Sequence, residues 1–117
     1  MCGVAGYIGV SIQDKHILKA MTSSIIHRGP DGEGYYYGDD FAFGHRRLSI
    51  VDLSESGKQP MCYLNRYIVT FNGEIYNHTE LRKELSNAGY SFSSESDTEV
   101  LMAAYDYWGV KLSLIHI

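Results

Sequence analysis

The sequence predicts an α+β domain with antiparallel sheet. Two observations carry this expectation. Apolar periodicity along the 117-residue chain changes from strand-like runs to helical spacing, in the order strand, helix, several strands, then two helices. Ten tyrosines and twelve glycines also suit strands with tight connections better than a helical bundle. The length fits one domain, 44% hydrophobic residues can supply a core, and no repeat, linker or low-complexity segment divides the chain.

Residues 3–10 read as the first strand, and its glycines suggest that another backbone or a ligand comes close. Ile17, Leu18, Met21 and Ile25 then fall on one helix face. His27-Arg28-Gly29-Pro30-Asp31-Gly32-Glu33-Gly34 is a loop by its punctuation. Tyr35 to Tyr37 and Phe41 to Phe43 flank Gly38-Asp39-Asp40 as a hairpin, and residues 44–52 continue extended. Ser54 to Pro60 is a polar connector. Tyr67-Ile68-Val69-Thr70-Phe71 is the strongest strand signal and runs straight into Asn72-Gly73-Glu74. Asn77 with Glu80, and Ser96 with Glu99, form capping-box patterns before two apolar helical stretches, with Gly89 and Gly109 as stops.

Composition excludes several function classes. A net charge of −4 without a basic block argues against nucleic acid or an anionic membrane as partner. The apolar runs are too short to span a bilayer, and no secretory signal opens the chain. Cysteines at 2 and 62 make neither a disulfide framework nor a zinc site, and the five histidines lack ligand spacing. A soluble cytoplasmic protein with no metal site is expected, in which Asn77-His78-Thr79 opens a helix and is not a glycosylation site.

Met1-Cys2-Gly3 is the first candidate for chemistry. A cysteine behind the initiator methionine is small enough to allow trimming. It would then carry a thiol and a free α-amino group on one residue, a nucleophile with its own base. By position alone, Cys2 reads better as an ordinary small residue.

Other stretches change that balance. Cys2-Gly3-Val4-Ala5-Gly6, His27 to Gly32, His45-Arg46-Arg47-Leu48-Ser49-Ile50-Val51-Asp52, Gln59-Pro60, Phe71 to Asn77 and Ser96 to Val100 resemble, in order and spacing, the glutaminase domain of class II glutamine amidotransferases. The Arg-Gly-Pro-Asp-Gly loop and the Arg-Leu-Ser-Ile-Val-Asp run favour the asparagine-synthetase branch. The resemblance covers residues 1–111.

It implies an N-terminal-nucleophile hydrolase fold, a four-layer α/β/β/α sandwich that is incomplete here. It also implies hydrolysis of L-glutamine to glutamate and ammonia through a thioester on Cys2. A cysteine thiol titrates near ~8.5 and an α-amino group near ~7.7–8.0, so the amine can accept the thiol proton. By resemblance, Asn72 and Gly73 form the oxyanion hole, where each donor typically supplies roughly 3–4 kcal/mol. Arg47 takes the substrate α-carboxylate through a two-pronged hydrogen bond and Asp97 takes the α-ammonium. Glu74 and the backbone of Leu48, Ser49, Ile50 and Val51 line the pocket.

Blander readings stay open. Asn72-Gly73 is also a common hairpin turn, Arg47 a solvated strand charge, and Asp97 a partner for a helix dipole. The His27–Gly32 loop reads as structural support and Cys62 as a buried small hydrophobe.

The resemblance assigns no cofactor to these residues. It places ATP and magnesium in a C-terminal synthetase domain, whose pyrophosphate loop is absent from the 117 residues, and it allows a homodimer in the intact protein. The chain alone is expected to be poorly stable, with little or no glutaminase activity. Residues 112–117, Leu-Ser-Leu-Ile-His-Ile, match a translated transposase-type sequencing adapter, so a non-native tail is expected there, with a genuine apolar tail as the alternative. Two competing functions are a non-catalytic small-molecule-binding module and an amidotransferase with a different acceptor.

Overall fold

A computed structural model describes residues 2–9, 14–49 and 54–116, with side chains as far as Lys111. Strand β1 (Gly3–Ile8) pairs antiparallel with β3 (Phe41–Arg47), and β3 pairs antiparallel with β2 (Gly32–Tyr37), giving the sheet order β1-β3-β2. The β2–β3 hairpin turns through the expected Gly38-Asp39-Asp40, closed by the Gly38 N–H donating to the Phe41 carbonyl at 2.8 Å. As the central strand, β3 buries Ala42, His45 and Arg46.

Helix α1 (Lys15–Ser23) covers this sheet. Asp14 caps it by accepting from the His16 N–H at 2.9 Å, an N-cap bond on one of the otherwise orphaned first-turn donors. Leu18 and Thr22 are fully buried. The helix lies so close that a Cβ at Gly44 would overlap the Thr22 hydroxyl. The helix expected to reach Ile25 stops at Ser23, and a 3₁₀ turn over Ile26–Arg28 follows. Ile17, predicted on the inner face, is 43% exposed.

A second sheet pairs β4 (Met61–Tyr63) with β5 (Tyr67–Val69). The turn is left-handed at Leu64 and Asn65 and closes from the Arg66 N–H to the Tyr63 carbonyl. The stretch expected as one long strand thus yields three paired residues, with a partner strand the apolar pattern did not announce. Cys62 is exposed, which corrects its assignment as a buried hydrophobe: alternation along β4 turns Met61 and Tyr63 inward and Cys62 outward.

Helices α2 (His78–Asn87) and α3 (Asp97–His116) pack on this hairpin. Leu81, Leu85, Val100, Ala103 and Ala104 form the centre of the core with Ile75 and Tyr63. Each leucine buried there contributes roughly 1.5–3 kcal/mol by transfer from water. Asp106 on α3 accepts from Tyr90 at 2.6 Å, Tyr67 at 2.8 Å and Arg66 at 3.0 Å, pinning the helix to β5. These bonds hold the Asp106 carboxyl below its usual range and push the Tyr90 hydroxyl up to about 12. Gly109 interrupts α3 with φ 77° and ψ −179°, where the stop was expected. Among the described residues no helix is long and apolar enough to cross a membrane.

Candidate active site

A cleft opens where the end of β3 faces the segment between β5 and α2 and the first turn of α3. It encloses about 490 Å³ of empty space, including its open mouth. Cys2, Arg47, Leu48, Ser49, Gly73, Glu74 and Asp97 line it, together with His45, Gly57, Gln59, Phe71, Ser96 and Thr98. Asn72 is half-buried and is not a lining residue, although Phe71 and Gly73 on either side are. Ile50 and Val51 lie outside the described residues.

The antiparallel register explains where Cys2 sits. Gly3 faces Arg46, so Cys2 lies beside the end of β3. Its sulfur accepts from the Leu48 N–H at 3.2 Å and stands 3.5 Å from the Leu48 carbonyl, to which the thiol can donate. Arg28 Nε donates to the Cys2 carbonyl at 3.2 Å. The thiol-bearing residue is thus held by the sheet pairing of its neighbour Gly3 and by a cation at once.

The loop that lacked residue-level chemistry has a supporting role here. Arg46 is buried, with Nε donating to the Gly29 carbonyl and one terminal nitrogen to Glu33, each at 2.9 Å. The Asp31 N–H donates to the Arg47 carbonyl at 2.9 Å, and the Asp31 carboxylate accepts from the Ser49 N–H at 2.9 Å. The loop therefore fixes the backbone of 46–49, the wall against which the Cys2 sulfur rests. Gly29 is required by contact: a Cβ there would overlap the Arg46 backbone. Gly29→Ala should cost roughly 1–3 kcal/mol, read as a lower urea midpoint.

The two neighbouring arginines diverge. Arg46 is consumed by Glu33 and Gly29, whereas Arg47 lines the cleft and donates to the Ser54 carbonyl at 2.8 Å. Asp97 opens α3, and its Oδ2 accepts from the Ile75 N–H at 3.0 Å. This start is prepared differently from a capping box. The Ser96 hydroxyl oxygen accepts from the Thr98 N–H at 3.1 Å, but the Glu99 carboxylate bypasses Ser96 and gathers the N–H and hydroxyl donors of Ser93 and Ser94. At α2, Asn77 occupies the N-cap position without a side-chain cap bond.

Residues 70–75 lead from β5 into α2, so Asn72-Gly73 is not a hairpin turn. Both ends of the segment are tethered. Gln59 Oε1 accepts from the Phe71 N–H at 2.6 Å, and Asp97 holds the Ile75 N–H.

His45 and Gln59 are cleft residues to which the sequence pattern assigned no role. A place two residues before Arg47 on the same strand was the only sequence signal for His45, and the Gln59-Pro60 stretch the only one for Gln59. His45 is 1% exposed and shares a hydrogen bond of 2.9 Å between its Nδ1 and the Thr70 hydroxyl. Burial, reinforced by the Arg47 charge, lowers its pKa from 6.5 to about 4. Between these values the unfolded chain binds a proton that the folded chain refuses, so His45 lowers stability as pH falls from about 6.5 to about 4. Urea unfolding across that window should show a steeper loss for the wild type than for His45→Gln.

Taken together, the cleft holds a thiol, a guanidinium and a carboxylate, with backbone donors around them. Such an array suits a small zwitterion whose electrophilic end meets the sulfur.

The chain matches the family described as "Glutamine amidotransferase domain" over residues 1–115. It is 45% identical over 114 residues to "Asparagine synthetase [glutamine-hydrolyzing] 1" of Bacillus subtilis, an alignment covering 92% of this chain and 18% of that protein. With "Asparagine synthetase [glutamine-hydrolyzing] 1" of Arabidopsis thaliana it shares 41% identity over 114 residues, covering 94% of this chain and 19% of the relative. The chain therefore spans about a fifth of the length of these curated relatives.

Proposed function

Because the chain belongs to the glutamine amidotransferase domain family, we propose that this cleft hydrolyses the side-chain amide of L-glutamine. The observation that carries the reading is the convergence of the Cys2 sulfur, Arg47, Gly73 and Asp97 on one cleft. Arg47 takes the substrate α-carboxylate. Asp97 takes the α-ammonium, since an ionised carboxylate can accept further donors beside the Ile75 N–H. Glu74 and the backbone of residues 48–51 complete the walls.

Once Met1 has been removed, the Cys2 α-amine accepts the thiol proton as sulfur attacks the amide carbon. The Asn72 side-chain N–H and the Gly73 backbone N–H then bind the oxyanion. For Asn72 this requires its amide to turn into the cleft when substrate is bound. Collapse of the intermediate returns the proton to the leaving nitrogen, releases ammonia and leaves a γ-glutamyl thioester. Water then cleaves the thioester to glutamate and the free thiol.

In this reading the residues form the front part of a four-layer α/β/β/α sandwich in a cytoplasmic enzyme. The ammonia passes to a synthetase domain that uses ATP and magnesium to amidate aspartate, a reading in keeping with relatives named as glutamine-hydrolyzing asparagine synthetases. No residue of the cleft is assigned to those cofactors.

The test is stoichiometric labelling by a γ-diazoketone analogue of glutamine, which needs the pocket and the thiol but no turnover. The Cys2 sulfur gains the analogue's carbon chain as dinitrogen leaves. Peptide mass spectrometry should find Met1 removed and a saturable Cys2 adduct that glutamine suppresses. Saturable binding without an adduct would instead identify a non-catalytic binding module.

A further inference from the structure

We propose that Gln59 is a positioning residue for this reaction, its side-chain amide setting the spacing between the Asn72-Gly73 segment and the helix start that carries Asp97. The proposal rests on the glutaminase reading.

The two ends of the amide engage two different parts of the cleft. Oε1 accepts from the Phe71 N–H at 2.6 Å, one residue before Asn72. Nε2 donates to the Thr98 hydroxyl at 3.1 Å, one residue after Asp97. The backbone of Gln59 is also seated against the sheet that carries Cys2, since a Cβ at Gly34 on β2 would overlap the Gln59 carbonyl. One residue therefore touches the nucleophile's sheet, the oxyanion segment and the amino-group clamp.

The need for such a strut follows from the strands. Pairing in β5 ends at Val69, so among the described residues the Phe71 N–H has no ladder partner, and the segment expected to be held by a long strand is held by a side chain. Thr98 is 1% exposed, and Ser96 already takes its N–H, so its hydroxyl has a fixed place from which to receive the amide. An amide is suited to this place because it offers an acceptor and a donor at once.

Displacing an oxyanion donor by about 1 Å can cost on the order of 100-fold in rate. Asp97 keeps its independent hold on the Ile75 N–H, so the loss should fall on chemistry more than on binding. The experiment measures kinact and KI for the γ-diazoketone analogue on the full chain, with iodoacetamide alkylation of Cys2 as a measure of the bare thiol. Gln59→Met should lower kinact at least tenfold, with KI within threefold and the iodoacetamide rate within twofold of wild type. Thr98→Val should act in the same direction, and Thr98→Ser, which keeps the hydroxyl, should restore the rate.

A kinact within twofold of wild type in Gln59→Met overturns the proposal, as does a parallel fall in the iodoacetamide rate in folded protein. If circular dichroism shows Gln59→Met unfolded, the Thr98 pair decides: equal rates for Val and Ser overturn the proposal, and loss with Val but not Ser upholds it. A wild type that the analogue labels no faster than iodoacetamide defeats the glutaminase reading itself, and the strut falls with it.

Discussion

Cys2→Ala should abolish both the glutamine-analogue adduct and any glutamine hydrolysis, while Cys62→Ala changes neither. Both thiols are free, but only Cys2 lies in the cleft, and Cys62 is exposed on the outer side of β4. Removing an acyl-transfer nucleophile typically costs on the order of 10⁶-fold in turnover, because the remaining donors can bind substrate but have nothing to attack it. Cys2→Ser tests the proton balance separately. A serine hydroxyl is far less acidic than a thiol, so the amine on the same residue must take its proton during the attack and not before it, and activity should fall steeply in a site built around sulfur. The measurement is peptide-resolved mass spectrometry beside ammonia release. An adduct forming at full rate on another residue of Cys2→Ala would remove Cys2 from the mechanism.

Asp97→Asn should weaken glutamine binding by roughly 10- to 100-fold while leaving the fold intact. The asparagine oxygen can still accept from the Ile75 N–H that Asp97 holds at 3.0 Å, so the entry to α2 keeps its anchor. What disappears is the charge facing the substrate ammonium. Hydrogen bonds to charged groups contribute about 1.5–3 kcal/mol, which sets the size of the effect. Calorimetric titration with glutamine, beside urea unfolding, separates the two consequences. Unchanged affinity would return Asp97 to a structural role at the start of α3.

Much of this site was legible through the resemblance of six stretches to a known family, which picked out residues whose chemistry suits the reaction. Cys2, Arg47, Gly73, Glu74 and Asp97 were singled out from stretches scattered along the chain, and they line one cleft. Asn72 shows where that reasoning thins: a motif names the residue, but not the direction of its amide. The β2–β3 turn, β1 and both C-terminal helices were readable from their turn residues and apolar spacing, although Gly32, Glu33 and Gly34, expected as loop, belong to β2. Strand β4 was not, and β5, although its signal was the strongest in the chain, pairs over Tyr67–Val69 only. The three residues of β4 leave too short a pattern, and the left-handed Leu64-Asn65 turn that follows lacks the glycine that usually marks one.

The least legible residues act through partners distant in sequence. Arg46 and Arg47 are adjacent and alike, yet one is buried against Glu33 and the other opens onto the cleft. Glu99 obeys the spacing of a capping box but serves Ser93 and Ser94 instead. Asp31, His45 and Gln59 each bond across 12 or more positions to the residues that shape the site. None of these pairings leaves a local trace, because a hydrogen bond between remote segments depends on where the sheets and helices bring them.

Sequence by itself therefore determined the α+β class, the thiol at the second residue and the charged groups suited to an amino-acid substrate. The class follows from periodicity over neighbouring residues, and the charged groups from the resemblance of their stretches to a known family. Only the tertiary structure decided that Leu48 embraces the Cys2 sulfur, that residues 29–31 brace that wall, and that Gln59 joins the segment after β5 to α3. Those depend on register and packing, which place in contact groups that the chain itself keeps far apart.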